Sequence, residues 1–516
     1  MDRPRLQVRR ISLVEWATIA FITIALSSFF PYFEAIHSAN ELSRVYLINA
    51  MVEEGTVSID GPLQRLGNIH DKSVREGIHY SDKAPGVSFY GLPVGYLYHY
   101  FAETPTLRAE VRVLRLWVST LPTLLLLIAL AVFLREYIRD PRLRALLLFA
   151  YGCGSLATTY SHLLFGHQLS AVTVFGCFLA GRSLRVPTLG RCLGIGFLAS
   201  AAVCLEYQNV VFLLPIAVMF LSRVAKHKPQ AAFAAAVLGA LPLAIALGAY
   251  HNAAFGSVFK TGYSFVASSF AEVHEQGMMG IAQPKLDHFT LSTVLPSKGI
   301  FFFAPWLLLA LPGLMLIPRA GKTGLVTGVN IGLYILFVSS MVYPIGGWTV
   351  AQRHLTPMIP WLILPVGLAV AQWRHLRPLL TGSIVVSVAF TGISTIVWPH
   401  FQEQLNNPFF QVGWPLFRDG WLPSSAFNLL GLSSWAGALG LGAVAGLALL
   451  FDLVTTPRTW LMRVVYPMVA VGVVAGCITF ASDLHMDQDV SADIRWIQSV
   501  YEPDPLRPPP RSPSQR

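Results

Sequence analysis

Three short stretches gather acidic, basic and Gly/Pro-shaped residues in a chain otherwise poor in charge. The first is HSANELSRVYLINAMVEEG, residues 37–55. Glu41 stands near its start, where a carboxylate could take a proton from an incoming hydroxyl. Ser38-x-x-Glu41 also spells a capping box, and Arg44 three residues on would make a weak surface pair with Glu41. Both structural readings stand beside the catalytic one. The second stretch is IHYSDKAPGVSFYGLP, residues 78–93, where Tyr80, Asp82 and Lys83 precede a Pro-Gly turn. Lys83 is there either a phosphate contact or a lysine that lays its stem on apolar surface and its head in water. The third is YPIGGWTVAQRHLTPMIP, residues 343–360. Gly346 and Gly347 permit unusual backbone, and Arg353 and His354 follow where the next apolar run begins. A guanidinium fork suits a phosphate, and equally a lipid headgroup.

The elements that must position these residues are membrane spans. Of 516 residues 54% are hydrophobic and 12% charged, with a mean hydropathy of +0.55. A soluble chain would carry about a quarter charged residues. Apolar runs recur from end to end, and the first, from Ile11 to Tyr32, is too long for a signal peptide and lacks its cleavage site. The net charge of +10 could suggest nucleic acid, but the basic residues cluster in short loops between apolar runs. Arg135, Arg139, Arg142 and Arg144 form one such loop; Arg374 and Arg377 form another. That is the positive-inside pattern, and it sets orientation. The five cysteines all fall in apolar runs without CxxC spacing, which argues against disulfides and a thiolate metal site.

With the basic loops cytoplasmic, about thirteen spans follow, near 12–32, 113–134, 143–160, 162–181, 192–206, 207–222, 231–250, 299–317, 323–342, 355–371, 379–398, 435–454 and 464–481. The fold class expected is an all-α polytopic membrane protein: one transmembrane domain over 1–481, with a partly disordered Pro-rich tail over 482–516. Residues 87–101 are only fifteen, about 22 Å as a helix against a ~30 Å hydrocarbon core. They are expected to lie along the outer face. The outer side then carries a large loop at 33–112 and a second at 251–298, and all three chemistry-bearing stretches share it. Span interiors are almost free of ionisable groups, and no internal repeat stands out, which weakens the case for an ion-coupled carrier.

Taken together and in order, these stretches resemble the bacterial GT-C membrane glycosyltransferases related to protein O-mannosyltransferases and aminoarabinose transferases. NELSR is similar to the acidic start of that family's first external loop, SDKAPG to the turn into its juxtamembrane helix, and GGWTVAQRHLTP to its late external loop. YHNAAFGSVFKTGYSF (250–265) and LPSKGIFFFAPWLL (295–308) also look like stretches of its polytopic branch. The resemblance implies a GT-C-like bundle in the bacterial inner membrane, with a cytoplasmic N-terminus and a periplasmic active site. It implies transfer, with inversion, of a sugar from a polyprenyl-phosphate donor to an envelope glycan, glycolipid or protein, with no cofactor; no residue is assigned to a metal, and the metal requirement stays open. Glu41 would be the general base, Lys83 and Arg353 the donor-phosphate ligands, and Arg44, Tyr80, Asp82, His167 and His354 supporting residues. Two departures stand out. Asn40-Glu41 replaces the family's Asp-Glu, and SHLLFGHQLS offers His162 and His167 where many relatives carry an acid. The chain has no Gly-rich phosphate loop, and the Asp487-Gln-Asp489 spelling lies in the tail. Two other readings remain: a lipid flippase or carrier, and a ligase using a lipid-pyrophosphate glycan.

Overall fold

The computed structural model describes residues 10–29, 38–184, 186–225, 229–266, 271–457, 459–484, 488–501 and 504–509. Within them, seven helices are long and apolar enough to cross a membrane: Leu107–Leu134, Pro229–Phe255, Lys322–Ser340, Arg353–Gln372, Arg374–Val397, Ser434–Thr455 and Trp460–Asp483. The chain is a multi-pass membrane protein. Further apolar helices are shorter, as at Leu13–Ser28, Leu189–Leu205 and Asn209–Val224. Two expected spans are interrupted. The 143–160 run divides at Gly154 into Pro141–Cys153 and Leu156–Tyr160, and the Gly154 carbonyl is taken by the Trp306 indole N–H at 2.6 Å. The 299–317 run bends at Ala304 and breaks into short helical pieces.

Burial sorts these helices by depth. The Arg353–Gln372 helix is 83% buried over its most apolar window, so it runs through the centre of the bundle. Ser434–Thr455 and Trp460–Asp483 are only 11% buried and turn apolar faces outward, as lipid-facing helices do. Where helices touch most closely, glycine makes it possible. A Cβ on Gly196 would meet the Ala236 carbonyl oxygen at 1.8 Å, and one on Gly239 the Leu193 carbonyl oxygen at 2.0 Å. The Leu189–Leu205 and Pro229–Phe255 helices thus pack backbone to backbone, the small-residue contact typical of bundles in lipid.

The arginines expected to mark topology also tie elements together. Arg144 grips Glu15 through two bonds of 2.8 and 3.0 Å, and both side chains are buried. Arg377 binds Asp140 at 2.6 Å and Asp452 at 2.6 and 2.8 Å. These pairs, buried at Glu15 and Arg144 and part-buried around Arg377, convert loop charges into joints between the first, third and late helices.

The first large loop is not a surface apron. Its Ala39–Asn49 helix carries Leu42, Val45, Tyr46, Ile48 and Asn49, with Val52 just beyond, an amphipathic pattern that predicts a helix lying on the membrane. Instead every residue from Ser43 to Asn49 is buried in protein. Val45 and Ile48 pack on Val87, Val111 and Leu114, while Tyr46 and Leu47 pack on Ile59, Tyr250 and Phe255. Burial on two opposite sides makes it a wedge between elements. A short hairpin, Ser73–Arg75 paired with Ile78–Tyr80, follows, and then the Gly86–Phe101 helix. At the far end of the chain, Ser491–Ser499 form a helix in the segment expected to be partly disordered. Ile497, Tyr501 and Asp504 are buried there, and Asp504 accepts bonds from the Ser434 and Leu506 amides.

Candidate functional site

A cavity of about 500 Å³ opens where the first loop meets the 343–354 loop. Of the residues singled out from sequence, Arg44, Asp82, Lys83, His167, Arg353 and His354 all line it. They arrive from four different elements. Arg44 projects from the buried Ala39–Asn49 wedge, Asp82 and Lys83 from the turn after the hairpin, and His167 from the first turn of the Gly166–Ser183 helix. Arg353 and His354 begin the central helix.

Lys83 is held between two carboxylates, with Nζ 2.8 Å from Asp71 Oδ2 and 2.7 Å from Asp82 Oδ2. An ammonium has three donors, so one remains for the cavity. This arrangement drives the two acids apart. Burial opposes charge on Asp71, but the Lys83 charge outweighs it and holds Asp71 below the usual carboxylate range. Burial pushes Asp82 above that range against Lys83, and the Asp71 charge adds to the rise. Burial pulls Lys83 down, and the two carboxylates more than compensate, so its ammonium persists. Paired acids with separated affinities for protons can divide the work of catalysis between them.

Arg44 is nearly inaccessible. It donates to the Asn40 carbonyl at 2.8 Å and to the Asn40 side chain, and reaches Glu206 Oε1 only at 3.4 Å. The same Glu206 oxygen lies 3.7 Å from His167 Nδ1, and the His167 and His354 rings meet edge-on at 4.7 Å. Arg353 differs from both other cations. It makes no ion pair with any described residue, and its Nε is buried without a hydrogen-bond partner. Its guanidinium lies 5.6 Å from the centre of the Phe165 ring.

The loop that presents Arg353 is strapped from several directions. Gly346 and Gly347 adopt positive φ, and so does Ala351 at 51°, an uncommon state for a residue with a Cβ. Lys298 Nζ donates to the Gly347 carbonyl at 2.9 Å, the Thr349 carbonyl at 2.9 Å and the Thr349 hydroxyl at 3.1 Å. The Lys298 carbonyl takes the Gln352 amide at 2.8 Å, and the Tyr160 hydroxyl donates to the Val350 carbonyl at 2.8 Å. Two of the lysine's bonds thus hold loop carbonyls and the third holds the Thr349 hydroxyl.

Two expected residues are elsewhere. Glu41 lies outside the cavity wall and is completely buried. Arg115 binds both of its oxygens, at 2.8 and 2.7 Å, and the Leu164 amide adds a third bond at 2.6 Å. Burial disfavours its charge, but Arg115 prevails and keeps Glu41 below the usual carboxylate range. A buried, saturated carboxylate of lowered basicity is not placed to accept a proton from a substrate. Nor is Glu41 a reciprocal cap. Ser38 accepts its amide at 3.3 Å, but its side chain points to Arg115. Tyr80 likewise belongs to a core, edge-on to Phe255 at 5.8 Å. Glu34, another acid on the first loop, lies outside the described residues.

Sequence reading missed several lining residues: Asp71, Glu206, Glu403, Trp348 and Trp496. Asp71 had a signal, an acid between two basic residues in the first loop. Trp496 had none, because nothing local connects the tail to residues near 350.

No family model matches the chain, and no curated protein matches it. Among solved structures it is similar to ArnT from Cupriavidus metallidurans bound to undecaprenyl phosphate. The identity is 15% and the TM-score 0.46, over 92% of this chain and 76% of that one. A likeness of that depth carries no argument about residues or reaction.

Proposed function

We propose that the chain is an integral membrane glycosyltransferase that moves a sugar from a polyprenyl-phosphate donor to an acceptor outside the cytoplasm. The observation that carries this reading is Arg353, a cation in a cavity wall with a desolvated Nε and no counter-ion among the described residues. A half-buried guanidinium whose Nε is cut off from water lacks compensation for its charge, and a bound phosphate supplies it while using the planar fork. Arg44 and the third donor of Lys83 stand on the same cavity. The acidic pair explains why the site is not simply an anion sink. In the transfer step the acceptor hydroxyl attacks the anomeric carbon as the bond to the phosphate oxygen breaks. The phosphate monoester leaves with the electron pair, and the hydroxyl proton passes to Asp82. Arg353 meets charge as it grows on the departing oxygen, an interaction stronger in the transition state than before it. Attack from the face opposite the phosphate inverts the anomeric centre. No nucleotide is needed, since the donor carries its own leaving group. The cavity would face the periplasm of the inner membrane.

Arg353→Ala should weaken binding of undecaprenyl phosphate to the full chain in lipid nanodiscs by about tenfold or more, the loss of one charge-assisted contact. Arg353→Lys should recover only part of it, because an ammonium lacks the fork. Wild-type affinity in the alanine variant would overturn the phosphate site.

A further inference from the structure

Beside the Arg353 loop the cavity wall changes character. Trp348, on that loop, and Trp496, on the Ser491–Ser499 helix, both line the cavity and remain 44% and 37% exposed. Their rings meet edge to face at 5.6 Å and 84°, so two indole planes form a right-angled corner. The corner is braced from behind. Trp398, fully buried, packs on Trp496 at 5.6 Å and 88°, and its indole N–H donates to the His400 carbonyl at 2.8 Å. Glu403 lies on the same wall, half-buried. Burial raises the neighbouring Tyr343 phenol, and its hydrogen bond with the Glu403 carboxylate raises it further, so the phenol stays protonated beside that acid.

We propose that this corner is an acceptor-saccharide subsite, in which a pyranose ring lies against Trp348 and Trp496 and its hydroxyls bond to Glu403. A pyranose has an apolar C–H face and a polar rim, and the corner supplies an aromatic face next to a carboxylate. Indole carries negative charge on its face, which suits polarised C–H groups. A lipid tail would use the indoles but make nothing of the polar edge that Glu403 gives the same cavity wall. The subsite narrows the acceptor to a glycan or the sugar head of a glycolipid. It deepens the proposed transfer reaction and rests on it for the word acceptor. Its position beside Arg353 puts a ring hydroxyl on the same cavity as Asp82.

The test is saturation-transfer NMR on the full chain in phosphatidylethanolamine/phosphatidylglycerol nanodiscs. Methyl β-glucopyranoside, methyl α-mannopyranoside and methyl N-acetyl-β-glucosaminide serve as probes at millimolar concentration. At least one should receive saturation on its ring C–H protons above empty nanodiscs. Trp496→Ala and Trp348→Ala should each weaken it about fivefold, the loss of one aromatic contact. Trp496→Phe should keep most of it, and so should Arg353→Ala. Undecaprenyl phosphate binding, measured on the same samples, should be unchanged in the tryptophan variants, which shows that they are folded. Absence of transfer to all three probes, equal transfer in both alanine variants, or loss in Arg353→Ala would each overturn the subsite. Wild-type protein that binds a pyranoside at the corner but no undecaprenyl phosphate would overturn the transfer reading and leave the sugar site standing.

Discussion

At the scale of single residues, two acids exchange roles. Glu41 has the sequence position of a base and the surroundings of a strut, while Asp82 has the surroundings of a base. Glu41 bonds Arg115 on the Leu107–Leu134 helix and the amide of Leu164, three residues before His167. Glu41→Ala removes the carboxylate that takes two bonds from the buried Arg115 and should cost about 3–5 kcal/mol of stability, read as thermal inactivation in nanodiscs. Glu41→Gln keeps one acceptor and should cost less. Its transfer activity should track the folded fraction, whereas a true base would lose about 10²-fold or more with stability intact. Asp82→Asn is the contrasting case: turnover down by about 10²–10⁴, with undecaprenyl phosphate binding retained. As the proposed base, Asp82 would act in its deprotonated form, and its proton affinity is raised by burial. Turnover should therefore fall as pH drops through that raised value. An acid limb identical in wild type and Asp82→Asn would remove Asp82 from the role. Spelling alone could not separate these acids, because the distinguishing partners, Arg115 and Lys83 with Asp71, are set by tertiary contacts.

At the scale of elements, the 343–354 loop shows what sequence can and cannot convey. Gly346 and Gly347 announced an unusual turn, and they do hold positive φ. The lysine that fixes the turn gave no such notice, since LPSKG reads as a loop end. Burial, with Arg353 adding to it, brings Lys298 down to about 7. Below that pH its ammonium has three donors for three acceptors; above it one donor is lost and the strap weakens. Limited proteolysis of the 343–352 stretch should accordingly rise above pH 7 in wild type. In Lys298→Met it should be high throughout, which corrects for the protease's own pH response. Equal cleavage in the two proteins on both sides of pH 7 would show that Lys298 does not hold the loop. The Ala39–Asn49 helix teaches the opposite lesson. Its apolar residues were legible, but burial on two faces was not, because one amphipathic stripe predicts a single partner surface.

At the scale of the whole molecule, hydropathy and basic loops gave the class, a multi-pass helical protein, with far more certainty than the span count. Runs such as 143–160 are apolar enough in sequence but broken in space, where backbone groups freed by a break find partners like the Trp306 indole. The orientation expected from the arginine loops has a direct check. Four of the five cysteines are buried and Cys477 is half-buried, so a background lacking all five is the place to start. Single cysteines at 75 and 105 should react with an impermeant maleimide from outside, and one at 139 should not. Reaction at 139 from outside would invert the scheme and move the cavity to the cytoplasmic face.

The Ser491–Ser499 helix, with Asp504 pinned to the Ser434 amide, has a consequence for biosynthesis. The cavity takes Arg44 from the first loop and Trp496 from this late helix, so the translocon delivers its two walls at opposite ends of a long insertion programme. A nascent chain arrested after the last long helix would hold its phosphate groups in place and lack one side of the indole corner. On the proposed reaction, such a product would bind lipid carrier without engaging an acceptor, and would withdraw carrier from circulation. Quality control that recognises an unpaired Trp348 face would therefore protect the carrier pool as well as the protein.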